Sequence, residues 1–139
     1  MADTGDLKSP SLKECGFDPH RQHQPMTLFQ SYKTEVKESP VHGRGVFATG
    51  DIFPGEIIEE CHFILLDKVT TDPNLFKIVF CWPMGNPNCH AVVLGLGSIF
   101  NHSDNNNATW HTDEVNMVFR FVATKFISRG QEIQTNYMI

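Results

Sequence analysis

Residues 95–105 read GLGSIFNHSDN, and the stretch changes character in its middle. An apolar segment ending at Phe100 runs into the polar step Asn101-His102-Ser103 and then into a loop rich in Asp and Asn. The side-chain amide of Asn101 both donates and accepts hydrogen bonds, so it suits a ligand with an ammonium and a carboxylate. An Asn here also fits a turn that caps its own backbone, and His102 fits a core histidine with satisfied hydrogen bonds.

A second segment, residues 42–48, reads HGRGVFA. Gly43 and Gly45 flank Arg44, and two glycines around one side chain let the backbone approach a ligand and expose its N–H and C=O groups. The segment lacks the third glycine and the strand–helix setting of a dinucleotide-binding fingerprint. On its own it also fits a simple turn.

The C-terminal segment, residues 130–139, reads GQEIQTNYMI, and Tyr137 fits an aromatic residue with its hydroxyl at the rim of a core. Residues 123–133 also echo residues 48–58, because each of five identical residues recurs 75 positions later. We expect two similar β-turn-β units that face each other across one core, with chance similarity between turns as the alternative.

Short β-like runs separated by Gly, Pro and Asn indicate a mostly β domain over residues 31–139. The predicted strands are Ser31–Lys37, Gly45–Thr49, Glu56–Leu66, Ala91–Leu96, Asn107–His111, Val115–Ala123 and Glu132–Tyr137. Leu75–Trp82 fits either a helical turn or a strand, and the apolar run Phe63–Leu66 predicts burial on both faces. Residues 1–30 are polar and proline-containing, which predicts a flexible or loosely packed N-terminal arm.

Composition narrows the class of protein further. A chain of 139 residues with 40% hydrophobic residues fits one globular domain. The net charge of −5 argues against direct nucleic-acid binding and suits a partner with a basic tail. The four cysteines have no metal-ligand or disulfide-framework spacing, so we expect reduced thiols and no metal site. Without a signal pattern or an apolar run of about 18 residues, we expect a soluble, intracellular protein with no membrane contact.

The order of the motifs resembles the SET-domain family over residues 43–137. The motifs are GRGVFA at 43–48, an Ile-x-x-Gly-Glu unit at 52–56, FNHS at 100–103, FVA at 121–123, an Ile-x-x-Gly-x-Glu-Ile unit at 127–133, and Tyr137. The Ile-x-x-Gly-Glu-Ile unit alone also resembles SAF domains and type III antifreeze proteins. Those proteins lack the Asn-His-Ser step and the terminal Tyr, so the SET family fits better.

The resemblance implies a β-clip of small curved sheets with a C-terminal pseudoknot, of the compact type found in bacterial and viral SET proteins. It implies S-adenosylmethionine as methyl donor and an accessible protein lysine, as in a basic histone-like tail, as acceptor, with a nuclear location if the source is eukaryotic. The backbone of Arg44, Gly45, Val46 and Phe47 would hold the cofactor. Asn101 would bind its methionine part, His102 would contact the adenine largely through its backbone, and Tyr137 would be catalytic.

Two points remain open within this resemblance. Phe80, Trp82, Phe100 and Phe121 are candidates for the wall of a lysine channel, although each also fits the core. SET domains usually continue with a closing segment after the catalytic tyrosine, whereas this sequence stops at Ile139. The arm with Phe17 and Phe29, or a second subunit of a homodimer, would then close the site; otherwise the site is incomplete. The alternative function is a catalytically silent SET-like module that binds a protein.

Overall fold

The computed structural model describes Cys15 and residues 27–137, and this part of the chain is built almost entirely from short strands. The elements are β1 (Thr34–Glu38), β2 (Arg44–Ala48), β3 (Ile57–Cys61), β4 (Phe63–Leu65), α1 (Pro73–Phe76), β5 (Val79–Cys81), β6 (His90–Val93), β7 (Asn101–His102), β8 (Ala108–Asp113), β9 (Val118–Ala123) and β10 (Glu132–Thr135).

The strands form three small sheets with the orders β1-β2-β10-β7, β3-β9-β8 and β4-β6-β5. Strand β10 pairs antiparallel with β2 and parallel with β7, so the last strand lies between the two segments that the sequence singled out. The predicted mostly-β fold is therefore confirmed, and its C-terminal strand lies directly beside Asn101 and His102.

The internal echo is a structural repeat. Ile52 and Ile127, which lie 75 positions apart, exchange two backbone N–H···O hydrogen bonds of 2.8 Å each. Two further backbone hydrogen bonds are equivalent under the same offset of 75 positions. The Ala48 N–H donates to the Gln131 carbonyl at 2.9 Å, and the Ala123 N–H donates to the Glu56 carbonyl at 3.0 Å. The two β-turn-β units thus contact each other, as the sequence predicted, and their reciprocal hydrogen bonds relate them by an approximate two-fold axis.

Large aromatic side chains fill the space between the sheets. Six of them are at most 4% exposed: Phe80, Trp82, Phe100, Trp110, Phe119 and Phe121. Burying a side chain of this size contributes roughly 1.5–3 kcal/mol, so these residues dominate the stability of the core. All four aromatic residues proposed for a channel wall belong to this core, and Phe80 contacts the ring of Tyr137 edge-on, with centroids 5.6 Å apart.

The predicted strand Glu56–Leu66 is two strands in different sheets, β3 and β4, separated by His62. The expectation that Phe63–Leu66 is buried on both faces is wrong, since Ile64 is 55% exposed. Strand β4 lies at the edge of a three-stranded sheet, and its outward face is left uncovered. The ambiguous segment Leu75–Trp82 contains the end of α1, which is capped by Asp72, and then β5.

The expectation of four reduced cysteines is also wrong, because Cys15 and Cys89 form a disulfide. The bond joins residues 74 positions apart, and such a pairing cannot be read from sequence spacing. Cys61 and Cys81 are free thiols.

Apart from Cys15, the predicted arm up to residue 26 lies outside the described residues, so the domain boundary at residues 30–31 stays a prediction. Within the described residues, no helix is long and apolar enough to cross a membrane.

Candidate cofactor and active site

A cavity of about 750 Å³ lies where the loop before β2, the end of α1, the segment leading into β7 and the segment after β10 meet. It is lined by Val41, His42, Gly43, Arg44, Asn74, Lys77, Ile78, Ser98, Ile99, Asn101, His102 and Tyr137. Four predicted site residues, Arg44, Asn101, His102 and Tyr137, thus come together from three distant parts of the chain. Gly45, Val46 and Phe47 do not line the cavity, because they continue β2 behind it.

A buried acid shapes the turn that leads into Asn101. Glu59, only 2% exposed, accepts hydrogen bonds from the backbone N–H of Leu96 at 3.0 Å and from the side chain of Gln30 at 3.2 Å. Burial raises the pKa of this carboxyl above its usual value. Gly95 has a φ of +66° beside it, and a side chain at that position would press against the Glu59 carboxylate. These contacts hold the segment that carries Ile99 and Asn101 into the cavity.

The Asn101 amide has one defined orientation. Its Nδ2 donates to the carbonyl oxygens of His42 at 3.1 Å and Arg44 at 3.2 Å, and to Glu132 Oε2 at 2.8 Å. All three partners accept hydrogen bonds and none donates in these contacts, so the nitrogen rather than the oxygen faces them. Asn101 therefore joins β7 to the glycine loop before β2, and its Oδ1 is directed away from these acceptors.

His102 uses its ring to hold the C-terminal segment. Its Nδ1 accepts the backbone N–H of Tyr137 at 3.0 Å, so the proton of the neutral ring lies on Nε2, which is 3.2 Å from Asp104 Oδ1. The backbone of His102 pairs with Thr135 of β10. The side chain thus supports Tyr137, and the expected contact of the His102 backbone with an adenine stays a prediction.

Tyr137 is half-buried and lines the cavity. Its hydroxyl donates to the carbonyl oxygen of Phe100, and its ring packs against Phe80 and His102. Burial raises the pKa of the phenol above its usual value. The hydroxyl therefore stays protonated at neutral pH, and its remaining lone pairs are available to accept a hydrogen bond from a ligand.

The charged side chains that line the cavity are basic. Arg44 and Lys77 are cations, His42 and His102 are the other ionisable groups besides Tyr137, and no carboxylate is among the lining residues of the described chain. The carboxylate of Glu132 lies close to Gly45 and is not among the lining residues. A lining of this kind favours a ligand with an anionic group.

Sequence reasoning missed two parts of this site. Asn74, Lys77 and Ile78 come from a stretch without clear periodicity, and only the three-dimensional fold brings them opposite β7. Glu132 had a weak signal, because it belongs to the Ile-x-x-Gly-x-Glu-Ile unit, but its pairing with Asn101 depends on strand order. Of the proposed closing residues, Phe29 hydrogen-bonds through its backbone to Glu60 and does not line the cavity, whereas Phe17 lies outside the described residues.

Comparisons with known proteins identify the family of this chain. The profile of the family described as SET domain matches residues 43–138. A histone-lysine N-methyltransferase of Schizosaccharomyces pombe, specific for H3 lysine-37, is 27% identical over 108 residues, which cover 74% of this chain and 71% of that protein.

Solved structures are similar in fold. A Plasmodium falciparum protein described as a candidate histone methyltransferase has a TM-score of 0.64 and 29% identity, covering 77% of this chain and 94% of that one. A humanized mutant of the Chaetomium thermophilum Polycomb Repressive Complex 2, bound to an inhibitor, has a TM-score of 0.60 and 19% identity, covering 78% of this chain and 15% of that one. Another structure of the complex, bound to S-adenosylmethionine, has a TM-score of 0.60 and 20% identity, covering 76% of this chain and 15% of that one.

The family profile covers well over half of the chain, and a solved structure 29% identical to the chain shares its fold. The chain belongs to the SET-domain family, the family of protein-lysine methyltransferases that its motifs resemble.

Proposed function

We propose that the protein transfers a methyl group from S-adenosylmethionine to a lysine side chain of a protein substrate. One observation carries the proposal: Asn101 of β7 and Tyr137, which follows the neighbouring strand β10, line the same cavity. The Schizosaccharomyces pombe relative, named a histone-lysine methyltransferase, supports the reaction class.

The cavity residues fit the proposed cofactor. A volume of about 750 Å³ lies within the range of roughly 300–1,000 Å³ usual for small-molecule sites. Arg44 and Lys77 would attract the carboxylate of an amino-acid group, and Asn101 Oδ1 would accept from its ammonium. Gly43, with a φ of +48° and no side chain, leaves the backbone of its loop open for close contact.

The proposed reaction needs alignment rather than a covalent enzyme intermediate. When bound, S-adenosylmethionine supplies a methyl group on a positively charged sulfur. Tyr137 would accept a hydrogen bond from the incoming amine and so direct its lone pair, because the tyrosine's own proton is held by the Phe100 carbonyl. The apolar surroundings of Tyr137 would favour the neutral amine over the ammonium form.

The proposed substrate is an accessible lysine in a basic segment, such as a histone-like tail. The net charge of −5 would attract such a segment. The named activity of the Schizosaccharomyces pombe relative makes a histone the first substrate to test and the nucleus the first location to examine if the source is eukaryotic. Closure of the site by a second subunit and the absence of a metal both stay predictions.

A transfer assay tests the proposal. The protein is incubated with S-adenosylmethionine carrying a labelled methyl group and with core histones, and mass spectrometry locates the label. We expect methyl groups on lysine nitrogen and none on matched peptides in which that lysine is arginine. Folded protein that binds no cofactor and methylates nothing, yet retains a protein partner, would instead support the alternative of a catalytically silent binding module.

A further inference from the structure

We infer that Glu132 is a positioning residue: it fixes the orientation of the Asn101 amide and thereby makes Asn101 Oδ1 the acceptor for the ammonium group of the cofactor. This inference rests on the proposed function, because it concerns the same site. It assigns a task to a carboxylate that does not itself line the cavity.

The contacts around Asn101 leave its amide one favourable orientation. Glu132 Oε2 accepts from Asn101 Nδ2 at 2.8 Å, the shortest of the three hydrogen bonds that this nitrogen makes. The carboxylate is also the only charged group among the three acceptors, and charge-assisted hydrogen bonds are about twice as strong as neutral ones. Turning the amide over would place Oδ1 against a carboxylate and two carbonyl oxygens, which is strongly unfavourable.

Glu132 is itself held in place from two sides. Ser39 Oγ donates to Glu132 Oε1 at 2.8 Å, which leaves Oε2 for Asn101. On the other side the carboxylate lies against the backbone of Gly45, and a Cβ at that position would overlap Glu132 Oε2. The close approach of the Glu132 carboxylate therefore favours glycine at position 45, since a larger residue would displace the carboxylate.

Strand pairing connects Glu132 to the other site residues. Glu132 lies opposite Phe47 of β2, and two residues later Gln134 lies opposite Asn101 of β7. Tyr137 follows the end of the same strand. One carboxylate therefore ties the glycine loop, Asn101 and the strand leading to Tyr137 into a single arrangement.

Replacing the carboxylate has a defined consequence for ligand binding. Without Glu132 the amide keeps only two weaker acceptors and also samples the orientation that presents Nδ2 to the ammonium, where two donors oppose each other. We expect the Kd for an ammonium-bearing ligand to rise about tenfold in Glu132→Ala, since hydrogen bonds to charged groups are among the stronger ones. Glu132→Gln keeps an acceptor oxygen and should give an intermediate value.

Calorimetric titration with three ligands separates positioning from a general loss of structure. S-Adenosylmethionine carries the ammonium and the carboxylate, its decarboxylated form keeps the ammonium alone, and 5′-methylthioadenosine lacks both. We expect Glu132→Ala to weaken the first two by a similar factor and to leave the third within about twofold of wild type. Glu35→Ala, which removes a carboxylate from β1 of the same sheet, is the matched control and should change none of them.

A double variant tests whether Glu132 acts through Asn101. If it does, Glu132→Ala should add little to the loss already caused by Asn101→Ala, whereas independent effects would add. Equal losses for all three ligands, full additivity, or unchanged affinity for S-adenosylmethionine in both Glu132 variants would each overturn the inference. Absence of S-adenosylmethionine binding by the wild-type protein would overturn the proposed function and this inference together, and the wild-type titration distinguishes that case.

Discussion

The Tyr137 hydroxyl donates a hydrogen bond to the Phe100 carbonyl, so only the lone pairs of its oxygen are available to a ligand in the cavity. Tyr137→Phe removes this acceptor and one hydrogen bond but keeps the ring that packs against Phe80 and His102. We expect the rate of methyl transfer to fall by about 10²-fold, because orientation of the amine is lost, with little change in cofactor affinity. Single-turnover kinetics together with a cofactor titration measure the two effects, and a variant as fast as wild type would remove Tyr137 from the reaction.

The protonation state of Tyr137 also predicts a pH profile. Burial raises the pKa of its phenol, so the hydroxyl remains neutral up to and beyond its ordinary value of about 10. The substrate lysine loses its proton on approaching about 10.4, so the transfer rate should rise with pH through the neutral and mildly alkaline range. The test is a pH–rate profile of the wild-type protein. A falling limb below about pH 9, in protein that is still folded, would contradict this account of Tyr137.

Much of the site was predictable at the scale of the residue. Arg44, Asn101, His102 and Tyr137 were predicted from the order of motifs, and the structure brings them to one cavity. The contacts by which these residues support one another were not predictable. That the His102 ring supports the Tyr137 backbone, or that Asn101 donates to Glu132, depends on the register of β10 between β2 and β7, which motif order alone does not give.

The hairpin of β8 and β9 is held by a small charged cluster. Asp113 accepts from the backbone N–H and the side-chain amide of Asn116 and from Arg120, which also binds Glu60 of β3. These contacts, led by the Asn116 N–H, lower the pKa of Asp113 to about 2. Because the folded pKa lies below the unfolded one, the carboxylate stabilises the fold above about pH 4, and this contribution is lost as the pH falls through about 2.

We therefore expect Asp113→Asn to lower the free energy of unfolding by about 1–2 kcal/mol at neutral pH and to have much less effect near pH 2. Denaturant unfolding at several pH values measures this difference. Glu114→Gln, on the exposed neighbouring residue, is the control and should match the wild type throughout. A pH-independent effect of Asp113→Asn would indicate a loss of packing rather than of charge.

The disulfide between Cys15 and Cys89 ties a residue from the N-terminal segment to the strand β6 region. A cross-link that closes a loop of this length should stabilise the protein by roughly 2–4 kcal/mol, mainly by restricting the unfolded chain. We expect a thiol reductant to lower the melting temperature of the wild type but not of the Cys15→Ser/Cys89→Ser variant. Cys81→Ser should keep the response of the wild type, and a wild type unaffected by reductant would contradict a stabilising cross-link.

The strands were the predictable elements, and their partners were not. Alternating and turn residues gave β2, β9 and β10 to within a few positions. Strand β7 has two residues, too few to show a period, and the apolar run of β4 suggested a central strand although it lies at an edge. The repeat was predictable because its two copies share sequence, and their contact at Ile52 and Ile127 confirms it.

Charge acts at the scale of the whole molecule. With a net charge of −5, the protein should attract Lys/Arg-rich segments through long-range electrostatic forces. Dissolved salt screens these forces and should therefore weaken the attraction. We expect the KM for a basic peptide to rise severalfold when the ionic strength is raised from about 0.05 M to about 0.3 M, with kcat little changed. A peptide with the same lysine and neutral flanks is the control. Equal salt dependence for both peptides would show that the overall charge does not select the substrate.

The central claim is that the cavity beside Asn101 binds S-adenosylmethionine, and calorimetric titration of the cofactor into the purified protein tests it most directly. We predict saturable binding at one site, weakened about tenfold or more by Asn101→Ala because a hydrogen bond to a charged group is lost. Asn105→Ala, in the following loop and outside the cavity lining, should bind like the wild type. Folded wild-type protein that does not bind the cofactor, or binding that Asn101→Ala leaves unchanged, would contradict the account.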